Sequence, residues 1–240
     1  DNSVVKSIGG MVVDSKGHLF VSDWLNPCVY RYDAATSART IYAGSCSSST
    51  GTKSTLHSNV DPLSVQLVFP RSLAMDAQDN LYLVDQSLYT ISKIDAATRK
   101  LSVIAGFGNR SYLVDPTDYY DRYDGEYAGD GTPALNARFK KIGGIYFDRI
   151  RNHLAIVDYG NAMLRLIDEN GIINTLVGES ASSGGALTGT QVKLYKPRGT
   201  AFDSLGNLHV ADQGNSAVKA LAVTPATGLV DKANVVSNTA

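Results

Sequence analysis

The stretch LYKPRGTAFDSLGNLHVADQGNSAVKAL, residues 194–221, decides the fold. Two short apolar runs, Thr200-Ala201-Phe202 and Leu208-His209-Val210-Ala211, are each closed by an aspartate, Asp203 and Asp212. Gly206-Asn207 and Gly214-Asn215 supply the turn chemistry between and after them. The same order recurs upstream three times. VKSIGGMVVDSKGHLFVSDWLNPCVYRYD begins at Val5, LVFPRSLAMDAQDNLYLVDQSLYTISKID at Leu67 and FKKIGGIYFDRIRNHLAIVDYGNAMLRLID at Phe139. A first aspartate (Asp14, Asp76, Asp148, Asp203) is followed nine or ten residues later by a second (Asp23, Asp85, Asp158, Asp212). A third (Asp33, Asp95, Asp168) follows in three units, and Ala222 takes its place in the fourth.

Runs such as Leu81-Tyr82-Leu83-Val84 and Met163-Leu164-Arg165-Leu166-Ile167 have strand length and strand composition, with turn residues at both ends. They predict antiparallel meanders. A further run ends the first three units, at Thr40-Ile41-Tyr42-Ala43-Gly44, Ser102-Val103-Ile104-Ala105-Gly106 and Thr175-Leu176-Val177-Gly178. Four strands per unit, repeated, is the arithmetic of a β-propeller blade. The blades fall at 5–44, 67–106, 139–178 and 194–236, with insertions at 45–66 and 107–138, in a single domain over 1–240. Helical periodicity is absent apart from a turn near 134–141, so the expected class is all-β.

These units resemble NHL repeats, whose pattern runs P-x-G-I-A-V-D, then G-N-L-Y-V-A-D, then N-x-R-I-R-K-I-D, then V-A-G. Pro197-Arg198-Gly199, the run Gly206 to Asp212, and Asn215 follow it closely. Residues 129–139, GDGTPALNARF, resemble the linker that precedes a blade in longer NHL units. The resemblance covers roughly residues 4–230 outside the insertions. It implies a propeller scaffold, usually of six blades, whereas four are legible here. Three arrangements meet the need to cover blade edges and faces: closure with four blades, further blades in other sequence, or a partner chain.

Composition narrows the function. Lys plus Arg number 22 and Asp plus Glu 23, a formal net charge of -1, which gives no support to phosphate-backbone binding. No apolar stretch approaches the about 20 residues that cross a bilayer as a helix. The chain begins at Asp1 without a leader, as a processed protein or a fragment does. Cys28 and Cys46 flank one hairpin as diagonal cross-strand neighbours, within reach of a disulfide, and such a bridge belongs to an oxidising compartment. Asn109-Arg110-Ser111 is a glycosylation sequon in an expected loop. Both features point to a secreted or cell-surface protein. The Ser/Thr-rich run at 45–55 reads as a solvated loop.

The insertion at 107–138 holds Tyr112, Tyr119, Tyr120, Tyr123 and Tyr127, five of the 13 tyrosines, with Asp115, Asp118, Asp121, Asp124, Glu126 and Asp130. Tyrosine gives large contact area at small entropic cost, so this segment is a candidate partner-binding surface. Its tyrosines could instead cover a neighbouring blade. Its carboxylates could hold calcium, but their spacing departs from the EF-hand pattern.

The repeated aspartates, recurring at strand ends, read as turn formers rather than catalytic pairs. His18 and His153 occupy the hairpin position of Asn80 and Asn207 and are expected to be exposed. The four histidines are scattered, without metal-ligand spacing, and neither a nucleophile elbow nor a phosphate loop occurs. Some related six-bladed propellers are amidating lyases or lactonases that hold metals on their innermost strands. Here those strands carry no ionisable side chain before their terminal aspartate. The sequence therefore predicts no enzyme, no cofactor and no metal site. It predicts an extracellular interaction or structural scaffold binding a protein or glycan partner, including copies of itself. The alternatives are a metal-dependent propeller enzyme and a cytosolic RNA-binding NHL domain.

Overall fold

The computed structural model describes residues 5–46, 57–106, 127–178 and 193–221. The fold is all-β, built from four antiparallel sheets with the strand order of propeller blades. Blade 1 comprises β1 (Ile8–Val13), β2 (Leu19–Asp23), β3 (Cys28–Tyr32) and β4 (Arg39–Ala43), paired in sequence order. Blade 2 repeats this with β5 (Pro70–Met75), β6 (Leu81–Asp85), β7 (Thr90–Ile94) and β8 (Leu101–Ala105). Blade 3 has β10 (Ile142–Asp148), β11 (His153–Asp158), β12 (Met163–Ile167) and β13 (Ile172–Val177), with β9 (Thr132–Pro133) added beside β13. Blade 4 is described through β14 (Pro197–Phe202), β15 (Leu208–Asp212) and β16 (Ala217–Leu221). Its expected last strand lies outside the described residues.

The aspartates explain the regularity. Each first-position carboxylate folds back on its own hairpin. Asp14 accepts from the amides of Lys16 and His18, Asp76 from Gln78 and Asn80, and Asp203 from Leu205 and Asn207. The third-position residues do the same in the β3–β4 type of turn, as Asp33 does with the amides of Ala35 and Thr36. The second-position residues do more than the sequence suggested. Asp23, Asp85, Asp158 and Asp212 are all buried. Each also reaches across to the chain entering its blade: Asp23 to the Lys6 amide at 2.7 Å, Asp85 to Val68 at 2.7 Å, Asp158 to Lys140 at 3.0 Å and Asp212 to Tyr195 at 2.7 Å. One side chain thus fixes the β2-type strand, its following turn and the lead-in to the β1-type strand.

The blades share bulges too. The first-strand ladder shifts register between Ile8 and Gly10, Pro70 and Leu73, Ile142 and Gly144, and Pro197 and Gly199. Bulges add right-handed twist. Gly44, Gly106 and Gly178, which end the fourth-strand runs, have φ of 84°, 93° and 111°, a region that only glycine enters without strain.

The chain divides into two compact units, Asp1–Asp124 and Gly125–Ala240. In the first, Phe20, Val29 and Ala43 of blade 1 pack on Leu73, Met75, Leu81 and Leu83 of blade 2, with Val65 and Leu67 from the connecting segment. In the second, Ala155, Val157 and Leu164 of blade 3 pack on Leu208 and Val210 of blade 4. Each fully buried branched side chain contributes about 1.5–3 kcal/mol. On β1 of blade 1, Met11 and Val13 remain 58% and 49% exposed.

Candidate functional site

An open cleft of about 580 Å³ lies between blades 1 and 2 of the first unit. The β1–β2 turn brings Asp14, Lys16 and His18 to it, and the strands behind bring Phe20, Arg31 and Tyr42. Blade 2 closes the other side with Asp79 and Arg99 from its turns. Phe20 and Tyr42 meet edge to face at 4.7 Å between centroids and form an apolar floor. The Arg99 guanidinium lies 3.6 Å from the Tyr42 ring centre and donates to the Tyr42 carbonyl at 3.5 Å. Asp79 accepts from the amide and hydroxyl of Ser15, at 2.8 and 2.6 Å, which ties the two blades together. Arg31 stands 3.4 Å from Asp33. The cleft thus sets charged and hydrogen-bonding groups around an aromatic floor.

His18 is half-buried rather than exposed. Its Nδ1 accepts the Ala34 amide at 3.0 Å, which places the proton of the neutral ring on Nε2. Asn80 does the same in blade 2, where its Oδ1 accepts the Ala96 amide at 2.8 Å. In blades 1 and 2 an acceptor at this position joins the two hairpins of the blade. His153 is also half-buried, and bonds Glu169 at 2.9 Å.

Cys28 and Cys46 form a disulfide, with Cα atoms 5.0 Å apart. It packs with the buried Tyr30 and with Val5 and Tyr32. Blade 3 solves the corresponding place differently. Register puts Arg165 there, opposite Ile156 as Tyr30 is opposite Val21. Arg165 is completely buried. It donates to the carbonyls of Arg138 at 3.0 Å and Ala128 at 2.9 Å and to Asp130 at 2.8 Å, and lies 3.9 Å from Asp158. The segment expected to be a linker is thereby strapped onto blade 3, and its Thr132–Pro133 pair extends the sheet.

Of the candidate partner-binding tyrosines, Tyr127 belongs to this cluster. Arg165 lies 4.9 Å from its ring centre, and its hydroxyl meets Asp130 and, at 2.9 Å, Thr175. Burial first, and then the bond to Asp130, push the Tyr127 phenol up to about 12. Tyr112, Tyr119, Tyr120 and Tyr123, and the sequon residue Asn109, lie outside the described residues. Among the described residues no group of three or more His, Cys, Asp or Glu side chains converges as for a metal ion. No helix among them is long and apolar enough to cross a membrane.

Sequence reasoning missed a set of residues on the opposite turns. The aromatic after Asp23 or Asp158 meets an arginine from the next blade that is itself bonded to a glutamine: Trp24 meets Arg71, which donates to Gln86, and Tyr159 meets Arg198, which donates to Gln213. The signal was present as an alternation. Blades 1 and 3 open with Ile-Gly-Gly, at Ile8 and Ile142, and blades 2 and 4 with Pro-Arg, at Pro70 and Pro197.

No family model matches the sequence. Teneurin-1 of Homo sapiens is 31% identical over 155 residues, which cover 58% of this chain and 5% of that protein, so the chain spans a small fraction of its curated relative. Among solved structures, one titled putative gluconolactonase is similar with a TM-score of 0.55 at 12% identity, over 95% of this chain and 63% of that one. Hydrazine synthase of Kuenenia stuttgartiensis is similar with a TM-score of 0.53 at 14% identity, over 98% of this chain and 52% of that one.

These likenesses show the fold, and they correct one expectation. The sequence reading predicted no enzyme from the apolar inner strands. Structures carrying those two names share this architecture, so that argument does not hold. A propeller can place reactive groups on loops and at blade ends, and such groups are invisible to a test restricted to strand interiors. Together the fold, the disulfide and the likeness to part of teneurin-1 identify this chain as a β-propeller-class protein.

Proposed function

We propose that this chain is an extracellular interaction module of the NHL type. It engages a protein or glycan partner, including copies of itself, through its blade loops and the Tyr/Asp-rich segment at 107–138. Its four blades then form one domain over 1–240. The observation that carries the reading is the Cys28–Cys46 disulfide, because paired thiols persist in oxidising compartments and both cysteines of the chain are used. The likeness to a segment of teneurin-1 supports it. So does the cleft between blades 1 and 2, which gathers charged and aromatic groups.

The test is production through a secretory pathway followed by binding measurements. The wild-type chain and a variant with Tyr112, Tyr119, Tyr120 and Tyr123 changed to Ser are immobilised and exposed to extracellular-matrix protein and glycan arrays. A saturable partner for the wild type, lost in the variant, is the expected result. A partner that binds both equally overturns the role of the insertion, and absence of any extracellular partner overturns the module reading.

A further inference from the structure

Each compact unit contains one copy of the same three-residue arrangement. In the first, the Arg71 guanidinium lies 5.8 Å from the Trp24 ring centre and 5.1 Å from that of Phe69, while its Nε donates to Gln86 Oε1 at 3.3 Å. In the second, Arg198 lies 4.7 Å from the Tyr159 ring centre, and its Nε donates to Gln213 Oε1 at 2.7 Å. Lys141 also approaches the Tyr159 ring, at 5.4 Å. Chain geometry makes room for this. A Cβ on Gly9 would meet the Pro70 carbonyl oxygen at 2.7 Å, and one on Gly143 the Arg198 carbonyl oxygen at 3.1 Å. The glycines of blades 1 and 3 thus let the Pro-Arg strands of blades 2 and 4 approach.

We propose that Arg71 and Arg198 are carboxylate-binding forks, and that they receive acidic side chains of a peptide segment on the module's partner. The inference rests on the interaction-module reading and names the partner's chemistry. An arginine used only to latch blades needs its flat face on the ring and nothing else. Here a glutamine also fixes Nε, so the plane and the rotation of the guanidinium are both set before any ligand arrives. The edge formed by the two terminal nitrogens is the part that pairs with a carboxylate in two parallel hydrogen bonds.

Among the described residues no carboxylate takes that edge. The second-position acids are already committed, Asp23 to the amides of Lys6, Ser7, Leu25 and Asn26 and Asp85 to Val68 and Phe69, and Asp76 and Asp203 bond within their own hairpins. Asp158 serves Lys140 and Asn161, and Asp212 serves Tyr195, Asn215 and Lys219. Arg71 is half-buried and Arg198 exposed, so both can be reached. A single fork beside an apolar ring suits one carboxylate on an aliphatic stem. A polyphosphate backbone would call for a basic field, and the formal net charge is -1.

Trp24 is the sole tryptophan and reports directly on the first fork. The probe is a capped peptide rich in glutamate, titrated while Trp24 emission is followed, with calorimetry giving the stoichiometry. Controls are the same peptide with every Glu replaced by Gln, and inorganic phosphate. The expected result is a saturable emission change with the Glu peptide alone and two sites per chain. Arg71→Gln and Arg71→Lys each weaken the Trp24 response about tenfold or more, because lysine keeps the charge and loses the fork. Arg198→Gln leaves that response intact and lowers the stoichiometry to one. Thermal unfolding confirms that each variant is folded, and Arg71→Lys keeps a cation on the ring.

No saturation by the Glu peptide, an unimpaired Arg71→Lys, or saturation by phosphate without the peptide overturns the proposal. None of these outcomes bears on the Cys28–Cys46 disulfide or on the array binding by which the module reading is tested. A reduced, unglycosylated native protein would sink that reading while leaving the titration unchanged.

Discussion

Replacing Arg165 with methionine tests how the strap at 127–138 is held. The arginine has no exposed surface, gives hydrogen bonds to two carbonyls and to Asp130, and is the cation beside Asp158. Methionine fills comparable volume and donates nothing. Breaking a buried ion pair by removing one partner costs about 3–5 kcal/mol, and that is the loss expected at pH 7. The pH dependence follows from Asp158. Burial pushes its carboxyl up to about 6 from 3.8, against the lowering pull of Asn161, Arg165 and backbone amides. A carboxyl that binds its proton more tightly when folded contributes most below its unfolded value. That contribution is lost as pH rises through the folded one, so wild-type stability from this group falls between about pH 4 and 6.

Without Arg165 the folded value climbs further. At pH 7 the variant must either bury an unpaired carboxylate or bind a proton. At pH 5 the carboxyl is mostly neutral in both proteins, and the difference shrinks to the lost hydrogen bonds, about 1–3 kcal/mol. Urea unfolding of both proteins at the two pH values measures this. A difference under about 1 kcal/mol at pH 7, or one equal at both pH values, would refute the reasoning.

Three further outcomes follow from the same physics. Changing Gly44, Gly106 or Gly178 to alanine should cost about 1–3 kcal/mol each in chemical denaturation, since every site has a positive φ and a Cβ on Gly44 would sit 2.5 Å from the Pro27 carbonyl oxygen. Cys28→Ser with Cys46→Ser, which opens a bridge across 18 residues, should lower stability by about 3 kcal/mol in the same assay. Equal stability would show that the bridge adds nothing to blade 1. The raised Tyr127 phenol stays neutral in the folded state above the pH where an unfolded tyrosine ionises. Stability should therefore fall as pH climbs from about 10 toward 12, and Tyr127→Phe should flatten that fall in alkaline melts.

The blades were legible because their determinants are local. The alternation of apolar runs, the turn residues after them and the aspartates at strand ends all act within about ten residues, so Leu81–Asp85 and Met163–Ile167 appear as strands close to where the sequence puts them. What escaped depends on contacts between segments. The added strand Thr132–Pro133 exists because its partners Ile172 and Ile173 lie some 40 residues away. Arg165 reads as one polar residue in an apolar strand until Ala128, Asp130 and Arg138 surround it.

The second-position aspartates looked like turn formers because their adjacent turns are visible in sequence. The amides of Lys6 and Val68, 17 residues before Asp23 and Asp85, are not. The arginine forks were missed for a related reason. The reading aligned all four blades to one pattern, and the forks arise from the difference between odd and even blades.

The most direct test of the account is a peptide map of the protein from its native source, run with and without reductant. An extracellular module predicts one linked peptide containing Cys28 and Cys46 that separates on reduction, together with a glycan on Asn109. Free thiols at both cysteines and an unmodified Asn109 would contradict the extracellular assignment.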